Sequence, residues 1–215
     1  TTPFEVSWSH TCTGSNRILL VAFSGGDAGD TVASVTYNSV SLTLAKEQVN
    51  TGANIISLWY LVNPATGANT VLVTVNNSIT TAGGMAVSLT GVDQTTPIDA
   101  SGVGAQADAA DSISVDIVTI TNDAWVVDAV TKESASDNLV VGAGQTERVN
   151  AVNTTHDMGM STEPKAVAGT VSMAWDDGGS IATFAWSIAA VAIRPADGAT
   201  AVKTLSPLLL MGIGM

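Results

Sequence analysis

Apolar and polar residues alternate with a period of two along most of this chain, which predicts β-strands that bury one face and wet the other. In residues 70–76, Val71, Val73 and Val75 fall on one side and Thr70, Thr74 and Asn76 on the other. The same rule groups Phe4, Val6 and Trp8, then Val40, Leu42 and Leu44, then Ile113, Val115 and Ile117, then Phe184, Trp186 and Ile188. No stretch carries the 3.6-residue period of an amphipathic helix. Turn-forming clusters separate the strands, as in SGGDAGD (24–30), NPATGAN (63–69) and WDDGG (175–179). About twelve strands with short connections result, and such a chain is expected to be an all-β sandwich.

Two runs depart from strict alternation. Leu19, Leu20 and Val21, and Trp125, Val126 and Val127, are continuously apolar, as in central strands covered on both faces. They also belong to an internal duplication with an offset near 100 residues. RILLVAF (17–23) answers AWVVDAV (124–130), and KEQVN (46–50) answers TERVN (146–150). NPATGANTVLVT (63–74) answers EPKAVAGTVSMA (163–174), and MAVSLTGV (85–92) answers FAWSIAAV (184–191). The pseudo-repeats run from about 4 to 92 and 112 to 193, joined by GVDQTTPIDASGVGAQADAAD (91–111). A shared core over residues 1–196 is expected, with two tandem domains as the alternative.

Beyond it, residues 197–215 read as a flexible linker and an apolar tail, LSPLLLMGIGM (205–215). Even five of its seven Leu, Ile and Met side chains left in water at ~25 cal/mol per Å² forfeit several kcal/mol, so the tail must be covered. With period two, Leu205, Pro207, Leu209, Met211, Ile213 and Met215 form an apolar series opposite Ser206, Gly212 and Gly214. The tail is therefore expected to be a strand that completes its own sheet or a neighbour's. Its candidate assembly residues are Leu205, Leu208, Leu209, Leu210, Met211, Ile213 and Met215, with Phe4, Val6 and Trp8 of the first strand as the alternative contact. Eleven residues are too few to cross a bilayer, for which ~20 are needed; a longer anchor cut away is one expectation. A first residue Thr1 rather than Met fits a processed or trimmed chain.

Composition narrows the partners. A net charge of −12 with four Lys and three Arg argues against nucleic acid and anionic membrane surfaces. Charged residues are 12% of the chain, about half the usual share, so the skin is built from Ser, Thr, Asn, Gln and Gly. Cys12 is the only cysteine and forms no internal disulfide. The scarcity of lysine, a common guard on strand edges, fits assembly through such edges.

The strings SWSHT (7–11), VTYNSVSLT (35–43), SLWYLVNPATGANTVLVTV (57–75), GVDQTTP (91–97), VGAGQTERVN (141–150) and VAIRPA (191–196) resemble a β-sandwich module of large secreted and surface proteins of bacteria. The resemblance covers about residues 4–196. It implies a jelly-roll or lectin-like fold and an extracellular or cell-surface location, and it carries over no catalytic residues.

Candidate chemistry is sparse. The chain has no GxSxG, HExxH, CxxC or P-loop pattern. His10 reads as a strand-end residue beside Trp8, and His156-Asp157 as an exposed loop. The acid pairs Asp27 with Asp30, Asp108 with Asp111, and Asp176 with Asp177 offer oxygen ligands to Ca²⁺, although none has EF-hand spacing. Trp59, Tyr60, Trp125, Trp175 and Trp186 are candidates for a sugar-stacking platform or for core packing. Asn76 and Asn153 begin N-x-S/T sequons. These features point away from an enzyme. They lead to a structural subunit of an extracellular bacterial fibre or coat that polymerises with copies of itself. A carbohydrate-binding module or a virion decoration or tail protein are the alternatives.

Overall fold

The computed structural model describes residues 3–26, 32–50, 53–76, 81–133, 139–152, 155–179, 183–197 and 203–212, with backbone alone for 101, 152 and 203–212. The chain is all-β, and the described residues form seventeen strands rather than about twelve. They are β1 Phe4–Cys12, β2 Ile18–Gly25, β3 Val32–Tyr37, β4 Val40–Ser41, β5 Thr43–Asn50, β6 Asn54–Val62, β7 Gly67–Val75, β8 Ala82–Thr90 and β9 Ile98–Ala110. The second half adds β10 Ser112–Val118, β11 Ala124–Lys132, β12 Val140–Val141, β13 Thr146–Val152, β14 Asp157–Lys165, β15 Thr170–Asp176, β16 Phe184–Ile193 and β17 Lys203–Gly212.

Four antiparallel sheets hold these strands. Their orders are β1-β7-β3-β4, β17-β8-β2-β6-β5, β13-β14-β11-β16-β9 and β10-β15-β12. The two five-stranded sheets are inner layers and the other two are outer layers, because three apolar clusters separate them in turn. One cluster lies between the first outer and first inner sheets and holds Val6, Trp8, Leu19, Val21, Phe23 and Val71. A second joins the inner sheets through Ile18, Leu20, Ala22, Met85, Val87, Val127, Met158, Met160 and Val191. The third, between the second inner and outer sheets, holds Ile117, Val126, Val130, Trp175, Trp186 and Ile188. Odd and even residues of β2 thus enter different cores, which is why a continuous apolar run is needed there.

Two sequence expectations change. Val40, Leu42 and Leu44 do not share a strand face: β4 ends the first outer sheet, β5 ends the first inner sheet, and the chain crosses between sheets at Leu42. Leu42 is buried, whereas Val40 and Leu44 are exposed. The turn before β4 uses Asn38 and Ser39 at φ 50° and 63°, the two-residue geometry that matches strand twist. The segment 91–111, expected as a connection, contains the thirteen-residue strand β9. Its Gly and Ala content serves close approach: a Cβ at Gly102 would stand 2.5 Å from the Ala45 carbonyl oxygen, and one at Gly104 would stand 2.8 Å from the Gln48 and Lys46 side chains. Residues 203–212 form the strand expected of the tail, β17, and of the two places open to it they take the edge of the chain's own first inner sheet.

Candidate functional site

The edge of β8 is the place where the tail meets the body. β8 is buried almost throughout, between two other layers. An unpaired row of N–H and C=O groups there would be costly and adhesive. β17 covers that row antiparallel, with Lys203 opposite Thr90, Leu205 opposite Ser88, Leu208 opposite Ala86, Leu209 opposite Met85, Leu210 opposite Gly84 and Met211 opposite Gly83. Pairing slips by one residue between Leu205 and Leu208. The slip spans Pro207, which has no N–H to give the ladder. It puts Leu205 and Leu209 out of phase, so the odd-numbered apolar series is split in two. Ile213 and Met215 lie outside the described residues.

β9 occupies the corresponding place on the second inner sheet. Read from β5, the first inner sheet runs β5-β6-β2-β8-β17; read from β13, the second runs β13-β14-β11-β16-β9. The strands that answer one another in sequence, β2 and β11, β5 and β13, β8 and β16, hold the same positions. Each closing strand comes from the other half: the chain leaves β8 to become β9 beside β16, and leaves β16 to become β17 beside β8. The two exits run side by side. Val92 bridges Pro195, the Asp93 amide donates to the Arg194 carbonyl at 3.0 Å, and the Ala196 amide donates to the Gly91 carbonyl at 2.8 Å. Arg194 also lies 3.5 Å from Asp99, whose carboxylate accepts the Ile120 amide at 2.7 Å.

Of the first-strand candidates, Val6 and Trp8 are buried in the first core, with Phe4 packed partly against it. β1 pairs with β7 and is the edge of its outer sheet. The aromatic candidates do not form an exposed platform. Trp175 and Trp186 are buried in the third core, while Trp59, Tyr60 and Trp125 are half-buried against the other two.

Asp176 and Asp177 line a shallow cavity of about 330 Å³ with Asp111, Ser112 and Gly179. Both carboxylates turn back on their own loop, Asp176 accepting from the Gly178 amide at 2.8 Å and Asp177 from the Gly179 amide at 3.3 Å. Asp108 accepts from the Asn50 amide group at 2.7 Å. Among the described residues, no three His, Cys, Asp or Glu side chains are grouped to hold a metal. Asp27, Asp30 and Asn153 lie outside the described residues, and Asn76 is exposed just beyond β7.

His156 is not in an exposed loop. It is buried, with Nδ1 3.0 Å from the Thr155 hydroxyl, and a Cβ on Gly26 would stand 2.8 Å from its ring. His10 is buried beside the Ser88 hydroxyl at 3.3 Å, and burial lowers its pKa to about 4. Two buried groups were not singled out from the sequence. Asp128 accepts from the Ser161 amide at 2.9 Å, the Ser161 hydroxyl at 2.7 Å and the Trp175 indole at 2.7 Å, and burial raises its pKa to about 6. Lys132 pairs with Asp157 with both side chains fully buried. The signal for both was a charge inside an apolar run, AWVVDAVTK (124–132). Neither reaches solvent, so neither meets a substrate.

No family model and no curated protein matches the chain. Among solved structures, the secreted serine protease VesC from Vibrio cholerae overlays at a TM-score of 0.17 with 11% identity, covering 98% of this chain. The chain spans 47% of that protein's length. A likeness this weak carries no argument about fold or activity.

Proposed function

We propose that this chain is a non-enzymatic structural subunit of an extracellular bacterial fibre or surface coat, and that copies of it join through their apolar ends. Each half is a two-sheet sandwich of jelly-roll type, and the halves are a duplicated pair sharing the core between the inner sheets. The observation that carries the reading is the place of β17: an apolar end segment closes the β8 edge, where β9 closes β16. A module built this way makes its joints out of strands. The carbohydrate-binding alternative calls for an exposed aromatic face, and no Phe, Trp or Tyr among the described residues is exposed. The burial of Asp128, Lys132 and both histidines supports structural rather than catalytic roles for them.

Full-length protein should be compared with a chain ending at Thr204 by size-exclusion chromatography with light scattering and by negative-stain microscopy. Regular polymers from the full-length chain alone are the expected result. Equal monomers from both, up to millimolar concentration, would refute the fibre.

A further inference from the structure

We propose that Lys132 and Asp157 are a modification site: their side chains condense, with loss of water, into an amide that joins β11 to β14 covalently. In the chain as first folded they are an ion pair. Lys132 stands directly opposite Asp157 on one neighbouring antiparallel strand and opposite Trp186 on the other. Its Nζ lies 3.1 Å from Oδ2, the oxygen bonded to the carboxyl carbon, and both side chains are fully buried. The contact has the distance of an ion pair, yet among the described residues Nζ has no partner in hydrogen-bond geometry. The rings of Phe184 and Trp186, 4.9 Å and 5.5 Å from Nζ at their centres, wall the pair with apolar surface.

The fold does not require charges at this place. At the same end of the corresponding ladder in the first half, between β2 and β6, Gly25 stands opposite Ile55. Two buried charges are costly to desolvate and stabilise no better than apolar groups of similar volume in many proteins. Condensation removes both charges, and its balance closes within the pair. One ammonium proton passes to Oδ2, giving a neutral amine and a neutral acid, the forms that apolar surroundings favour over ions. The amine lone pair then forms the Nζ–Cγ bond and the Cγ–Oδ2 bond breaks. That oxygen leaves as water, with the transferred proton and a second one from Nζ. No oxidation state changes and no other reactant enters. Groups held together in reactive geometry act at effective molarities of ~10⁵–10⁸ M, and exclusion of bulk water slows the reverse hydrolysis. With Cys12 as its only cysteine the chain has no internal disulfide, and an amide is a cross-link that its composition does allow.

The intact mass of the full chain, kept folded through a long warm incubation and then denatured, reads the bond. A mass short of the sequence by one water is expected, with a branched peptide in which the segments bearing Lys132 and Asp157 stay joined after proteolysis. Asp157→Asn should give the same branched peptide with loss of ammonia in place of water. Lys132→Arg keeps a cation without a primary amine, and should hold its full sequence mass. Full mass and two separate peptides from the unaltered chain would overturn the proposal. So would a water loss confined to the peptide bearing Asp157, the mark of a succinimide between Asp157 and Met158. The unaltered chain alone decides, so a variant that fails to fold leaves the test intact. Polymer formation has no part in this reading, and the fibre proposal stands or falls separately.

Discussion

The Lys132 ammonium lies 3.1 Å from the Asp157 carboxylate, and neither side chain has any exposure. The two residues face each other across β11 and β14, and the ammonium stands 4.9 Å from the Phe184 ring centre and 5.5 Å from that of Trp186. Removing one partner leaves a charge stranded in an apolar core, whereas removing both leaves none. Lys132→Met is therefore expected to cost about 3–5 kcal/mol. Lys132→Met with Asp157→Leu should cost clearly less. Chemical denaturation of the three proteins checks the order, and a double variant as unstable as the single one would show that the pair is not what holds this region.

Gly83 and Gly84 sit next to each other on β8 and face different layers. A Cβ on Gly84 would fall 2.3 Å from the Trp8 ring, and one on Gly83 would fall 2.1 Å from the Met158 side-chain end. The indole is rigid and packed, while the thioether end has free torsions to move it aside. Gly84→Ala should lose about 1–3 kcal/mol and Gly83→Ala less, measured as a shift in denaturation midpoint. Equal losses would mean that the inter-sheet spacing, not the indole, sets the limit.

Two buried groups work against each other in acid. His10 has a folded pKa near 4, below its ordinary 6.5, because burial disfavours the charged ring. Its contribution to stability is present above pH 6.5 and is lost as pH falls toward 4, by about 3 kcal/mol in all. Burial lowers the His156 pKa as well, in the same direction. Asp128 has the opposite sign: burial raises its carboxyl from 3.8 to about 6, so its contribution is present below pH 3.8 and is lost as pH rises through 6. Between pH 4 and 6 the His10 and Asp128 slopes offset. His10→Gln should leave the Asp128 slope unopposed by His10, so that stability holds or rises as pH falls from 6 toward 4, and Asp128→Asn should make the acid loss steeper. Denaturant midpoints at half-unit pH steps check both, and unchanged slopes would sink the assignment.

The Trp175 indole reaches from the second outer sheet to Asp128 on the adjoining inner sheet. Trp175→Phe keeps most of the apolar bulk and removes one of the donors to a buried carboxylate. A loss of about 1.5–3 kcal/mol is expected, together with a further rise in the Asp128 pKa. Carboxyl chemical shifts followed through the titration would reveal that rise, and a fixed pKa would mean that the Ser161 and Gln145 donors govern the group without the indole.

Much of the layering was legible from periodicity. Val71, Val73 and Val75 are buried as a set, and the continuous run at Leu19, Leu20 and Val21 lies between two cores. Less was legible where composition and structure part company. β9 carries almost none of the alternation of a strand, because its close approach to β5 selects Gly and Ala, so its sequence looks like a connection. His156 sits among turn-forming residues but fills a pocket against Gly26, which belongs to the other half. The tail was recognisable as a strand, yet its phase was not, because the slip at Pro207 arises in pairing with β8.

By itself the sequence determined that this is an all-β chain with two similar halves and an apolar end that must be covered. Periodicity and transfer free energy are local quantities, and each residue carries its own share of them. The tertiary structure decided the rest: which halves the strands β9 and β17 close, the crossing at Val92 and Pro195, and the meeting of Ser24 and Thr131 hydroxyls at 2.8 Å between the inner sheets. Those choices depend on pairing between strands a hundred residues apart. Backbone hydrogen bonds are alike at every edge, so only the packing of the four layers selects among them.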